Sequence, residues 1–322
     1  MSNKRIINGA KKVVNDCLNI KTGENLAIVA DLPNSNVAHA FAEAGKDRGA
    51  FVSILQFFPL QRHSQDPPMP IIEGLCKADA AILAAIFSLS SSKARQKATN
   101  GGTRIISIPG CSEELFKSPA INVNFNEQKK LIERLGNLLR DTFVINITSG
   151  LGTNVRAKIR GQKIVPQTAL ARTPGSWAPF PNIEIAVGPS LDGVEGVLFV
   201  DGAIIPGGQI KNPVRIEIEK GTIVSITGGK EAKDFKKLLA DYNDPNMYKV
   251  VEIGIGLNPK AKIGRGFMAE DESQFGTLHL GIGEGSTFGV PISAVSHADL
   301  VIRKPTILFD ETVIFEKEKL II

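Results

Sequence analysis

Residues 25–57 read NLAIVADLPNSNVAHAFAEAGKDRGAFVSILQF, and the pattern is strand, helix, strand. The run 25–30 is continuously apolar after its first residue and ends in the turn-prone Asp31-Leu32-Pro33-Asn34, so it predicts a buried strand. Val37, Phe41 and Ala44 then recur at helical spacing, and Gly45 and Gly49 close that segment. The run 51–57 predicts the next strand, 80–86 a third and 104–108 a fourth, with helix-compatible sequence between them. Strand and helix in alternation imply right-handed crossovers and a parallel sheet covered on both faces. A helix predicted over 127–141, with Leu131, Leu135, Leu138 and Leu139 on one side, closes this Rossmann-like α/β domain, placed at residues 1–142.

Beyond it the helical period fades. Short apolar runs at 143–147, 183–187, 197–200, 214–218 and 223–226 are separated by Gly, Pro, Asn and Asp, which predicts a mainly antiparallel β domain over 143–322. One helix, over 232–242, interrupts it and stops at Asn243-Asp244-Pro245. The segment 172–181 holds three prolines, a glycine and the only tryptophan, and reads as a lid or a surface loop.

The composition excludes several classes. Across 322 residues, 43% are hydrophobic and 22% charged, the balance of a globular chain that can bury two cores. The formal charge of +5 is spread out, with no basic run interleaved with aromatics, so nucleic acid is not an expected partner. Cys17, Cys76 and Cys111 are far apart and form no C-x-x-C pair, which argues against metal clips and redox pairs, and their odd count argues against a secreted disulfide framework. Residues 1–12 are polar and basic, unlike a signal peptide. No run approaches the roughly 20 apolar residues of a membrane span. These features predict a soluble, cytoplasmic protein.

The chemistry is expected in the second half. Four apolar strands each carry a metal-liking side chain: Ile183-Glu184-Ile185, Val251-Glu252-Ile253, Leu278-His279-Leu280, and Val295-Ser296-His297-Ala298-Asp299-Leu300-Val301-Ile302. Burying a lone carboxylate costs several kcal/mol unless a partner compensates it, and a divalent cation does that well. Residues two apart on a strand share a face, so His297 and Asp299 can grip one ion together. Each residue also has a plainer explanation. Glu184 or Glu252 could face solvent, His279 could be a hydrogen-bonded core histidine, and His297 with Asp299 could be a simple charge-assisted pair. The metal expectation rests on their joint occurrence in a chain with four histidines. The glycines Gly281, Gly283 and Gly285, like Gly254 and Gly256, lack the spacing and following helix of a dinucleotide loop.

An ordered series of segments resembles a known family. Pro181-Asn182-Ile183-Glu184 is followed by Val194-Glu195-Gly196 and Ile216-Glu217-Ile218-Glu219-Lys220-Gly221. Then come Tyr242-Asn243-Asp244-Pro245, Glu252-Ile253-Gly254-Ile255-Gly256-Leu257-Asn258-Pro259, Gly276-Thr277-Leu278-His279 and His297-Ala298-Asp299. This set resembles the thermophilic metalloaminopeptidases typified by aminopeptidases T and S, and also 2,5-dihydroxypyridine dioxygenase, which shares their scaffold. The aminopeptidase resemblance implies divalent ions (zinc, cobalt or manganese) held by Glu184, Glu252, His279, His297 and Asp299. It implies Glu184 or Glu252 as general base, metal-activated water, a small peptide or amide substrate, and a homodimer. The family also places a tyrosine soon after the first histidine; here 284–288 reads Glu-Gly-Ser-Thr-Phe, and the only tyrosines are Tyr242 and Tyr248. The dioxygenase resemblance implies one Fe(II) on two histidines and a carboxylate, but its first histidine falls at Glu252, leaving one imidazole with two carboxylates. The leading expectation is therefore a metallohydrolase of aminopeptidase type. A ring-cleaving iron dioxygenase is the alternative, and a non-catalytic relative comes third.

Overall fold

The structure, a computed structural model, describes residues 2–322, and the chain divides into two compact units. The first comprises 1–126 and 168–182, the second 127–167 and 183–322. No helix among the described residues is long and apolar enough to cross a membrane.

The first unit is built on a parallel sheet in the order Phe51–Phe57, Asn25–Asp31, Ala80–Ala85, Arg104–Pro109, Trp177–Pro179. The middle strands are apolar along their length because helices such as Ser35–Asp47 and Lys93–Asn100 are the crossovers, and Ile28, Ile82 and Ile106 are wholly buried. The fifth strand corrects the lid-or-loop expectation for 172–181. Ile105 donates its N–H to the Ser176 carbonyl at 2.9 Å and Phe180 donates to Ser107 at 2.8 Å, which seats Trp177–Pro179 at the sheet edge. Its prolines are tolerated there because an edge strand can spare a donor. Arg95 lies over the Trp177 ring at 4.3 Å.

The second unit holds two antiparallel sheets among the described residues, one of eight strands and one of seven. The seven-stranded sheet runs Gly208–Gln209, Ala203–Ile205, His297–Ile302, Leu278–Gly283, Val250–Gly256, Glu184–Val187, Ile164–Gln167. The fold class is thus a parallel α/β sheet in one unit and antiparallel sheets in the other, as the two periodicities predict.

Candidate metal centre

Glu184, Glu252, His279, His297 and Asp299 all lie in the seven-stranded sheet, on four neighbouring strands. The register shows why the sequence can place them together. Across the ladder Glu184 faces Gly256, His279 faces Gly254, Glu252 and Asp299 both face Gly281, and His297 faces Gly283. Direct cross-strand partners project from the same side of a sheet, so every one of these residues is paired with one that has no side chain. Two of the glycines that fit no dinucleotide loop, Gly254 and Gly281, are the floor of this cluster.

The clearance is tight. A Cβ on Gly254 would lie 2.1 Å from His279 Cε1 and Nε2, and one on Gly281 would lie 2.7 Å from Glu252 Cβ and 2.8 Å from His297 Cε1. A register shift between Val250 and Glu252 ends regular pairing just before the acid, as bulges do where a side chain must be re-aimed.

Two overlapping donor groups result, sharing Glu252. The inner group is Glu184, Glu252 and His279; the outer is Glu252, His297 and Asp299; within each, the ligand atoms lie within 4.8 Å of one another. His279 Nε2 is 3.3 Å from Glu252 Oε1 and 3.7 Å from Glu184 Oε2. His297 Nε2 is 3.1 Å from Glu252 Oε2 and 3.0 Å from Asp299 Oδ1. The inner group is sealed, whereas the His297 side chain keeps 22% of its surface.

Three more residues bear on the cluster and carried no sequence signal, two through side chains and one through its backbone. Buried Gln167 donates its amide N–H to Glu184 Oε1. The Glu284 carbonyl accepts from His297 Nδ1 at 2.9 Å. Glu272, on the short helix Met268–Ser273, has its carboxyl pushed well up by burial and then by the charges of Asp299 and Glu184. An argument from strands alone overlooks an acid delivered by a one-turn helix.

The electrostatics are those of a cluster short of positive charge. Burial alone would depress His279, but Glu184 and Glu252 outweigh it and hold it at about 10. His297 rises well above its ordinary value in the same way, with Asp299 and Glu252 overcoming burial. Glu252 would be raised by burial but is pulled below the usual range by hydrogen bonds from both imidazoles.

Without metal, then, both rings are cationic at neutral pH. The stabilisation that protonated His279 gives the metal-free fold is complete below the unfolded value of about 6.5 and is lost as pH rises through about 10. An ion that takes Nε2 must displace a proton, so metal affinity should rise with pH through the neutral range. Calorimetry in buffers of different ionisation enthalpy should show at least one proton released per ion at neutral pH. Equal heats in all buffers would contradict this.

The residues fit a first-row divalent ion. Imidazole nitrogen and carboxylate oxygen are its usual donors, the glycine floor leaves the space, and Glu184, Glu252 and Asp299 are buried acids whose charge a cation would offset.

Comparison with known proteins separates the two enzyme expectations. A 2,5-dihydroxypyridine 5,6-dioxygenase from Pseudomonas putida KT2440 is 26% identical over 196 residues. That match spans 58% of this chain and 56% of the relative's length. The solved structure of the 2,5-dihydroxypyridine dioxygenase from Pseudomonas putida KT2440 superposes with a TM-score of 0.88 at 20% identity, covering 100% of this chain and 98% of that one. Wild-type AmpT from Thermus thermophilus gives 0.73 at 16% identity, with complete coverage of both. These two superpositions establish the shared scaffold.

The metallohydrolase expectation, with its aminopeptidase and protease activity, is therefore corrected. It rested on a donor set of two imidazoles and three carboxylates, and those atoms suit many divalent-metal chemistries. The family model of 2,5-dihydroxypyridine 5,6-dioxygenase matches residues 5–322, nearly the whole sequence. The chain belongs to the 2,5-dihydroxypyridine 5,6-dioxygenase (NicX) family.

Proposed function

We propose that this protein is a ring-cleaving dioxygenase acting on a dihydroxylated pyridine, with one ferrous ion held by Glu252, His297 and Asp299. The observation that carries this reading is the family match across 5–322, on a chain whose outer donor group has an open edge. A catalytic ion needs free positions for its reactants, and the sealed inner group offers none. When bound, ferrous iron supplies a centre at which a hydroxylated ring and dioxygen can meet.

The chain's own residues prepare that centre. His279 and Glu184 sit behind Glu252; the proton on His279 Nε2 engages Glu252 Oε1, which leaves Oε2 facing His297. Gln167 holds Glu184 in turn. Phe288 lies against the His297 ring, centroids 5.7 Å apart, and keeps water from that side. One imidazole with two carboxylates departs from the two-imidazole, one-carboxylate set usual for oxygen-activating iron. The second imidazole, His279, acts here through Glu252.

The test is oxygen uptake. Protein loaded anaerobically with Fe(II) and mixed with 2,5-dihydroxypyridine should consume dioxygen equimolar with the ring lost. If the iron is bound stoichiometrically and neither oxygen nor ring absorbance falls, the proposal fails.

A further inference from the structure

The segment Tyr242-Asn243-Asp244-Pro245 contributes no residue to either donor group, yet hydrogen bonds join it to the site. Asp244 starts the short helix Pro245–Tyr248 by accepting the Asn246 N–H at 2.9 Å, and its other oxygen accepts the Val295 N–H at 2.9 Å. Asn246 donates its side-chain amide to the Ser293 carbonyl at 2.8 Å. Glu284 grips the same loop from its other end. Its two oxygens accept the Ser286 N–H at 3.0 Å and the Ala294 N–H at 2.9 Å. The Glu284 N–H donates to the Ser296 carbonyl at 2.8 Å, closing the loop at its neck.

His297 is the next residue. Its Nδ1 donates to the Glu284 carbonyl at 2.9 Å, so the neck of the loop fixes the ring. An imidazole that donates from Nδ1 presents Nε2 as its lone pair once a metal displaces the other proton, and such outer partners tune ligand affinity. The two carboxylates are therefore placed to hold the loop, the loop to hold the carbonyl, and the carbonyl to hold the tautomer. Burial would raise the Glu284 carboxyl, but the Ser286 and Ala294 donors keep it below its usual range, as expected for an ionised clamp.

We propose that Asp244 and Glu284 are positioning residues that set His297 as a metal ligand, through the 284–296 loop and the Glu284 carbonyl. This rests on His297 being a ligand, not on the reaction catalysed. Asp244→Asn and Glu284→Gln keep shape but turn one acceptor into an NH2 group facing a backbone N–H, so each loosens one clamp.

Co2+ titrated calorimetrically into the wild type, both single variants and the double variant reads the effect without any assay of activity. Each folded single variant should bind roughly 10- to 100-fold more weakly, the range seen for outer-shell partners. The double variant should be less than multiplicatively worse, because both act on one loop. In the Zn2+-loaded wild type, 15N spectra should show His297 protonated at Nδ1. Wild-type Co2+ affinity in the folded variants, or an unprotonated Nδ1, overturns the proposal. A wild type that binds no Co2+ overturns the metal-site reading itself, a distinguishable failure.

Discussion

Alanine at Gly281 is expected to abolish metal binding at the outer group while the sheets stay folded. Gly281 pairs with Glu252 on one side and Asp299 on the other, so its missing side chain is the space those two acids and His297 converge upon. An added methyl would sit 2.7 Å from both Cβ and Oε2 of Glu252 and 2.8 Å from His297 Cε1. Glu252 Cβ is tied to its backbone and cannot swing aside as a side-chain tip could. Two of the three proposed ligands must therefore move together. Overpacking of this kind costs about 1–3 kcal/mol, which a domain stable by roughly 5–15 kcal/mol survives. A melting curve and a metal titration on Gly281→Ala check both halves. Native-like metal content in the variant would show that the glycine floor is incidental.

The second large effect separates the two donor groups. Asp299→Ala removes a ligand from the outer group and leaves His297 with Glu252 alone, so Fe(II) affinity should fall by on the order of 100-fold or more, at or beyond the upper end of outer-shell losses. Glu184→Ala acts on the sealed inner group and should leave one ion per chain, bound somewhat more weakly because Glu252 loses part of its backing. Iron content after gel filtration distinguishes them. If Glu184→Ala loses iron and Asp299→Ala keeps it, the outer-group assignment is wrong.

What the sequence made legible follows the range of each interaction. His297 and Asp299 share a face by the two-residue period alone, and the parallel sheet announces itself in runs such as 25–30 and 80–86. Both are local signals. The role of Gly254 and Gly281 depends on which residue lies across the ladder, a matter of register between strands that no local pattern reveals. Trp177–Pro179 looked like a loop because prolines usually exclude strands, and only its edge position excuses them. The Glu284 contact uses a backbone carbonyl, which every residue has, so its identity carries no hint. The preference for hydrolysis over oxygenation has a chemical origin: the resemblance implies a histidine of the dioxygenase at Glu252, and counting donors cannot tell which reaction a carboxylate-rich set serves.

The proposed reaction requires one iron among Glu252, His297 and Asp299. Anomalous diffraction from Fe(II)-loaded crystals, collected above and below the iron edge, locates that ion without reference to turnover. A single iron peak bounded by Glu252 Oε2, His297 Nε2 and an Asp299 oxygen is expected. A peak confined to Glu184 and His279, or none in this cluster, would contradict it.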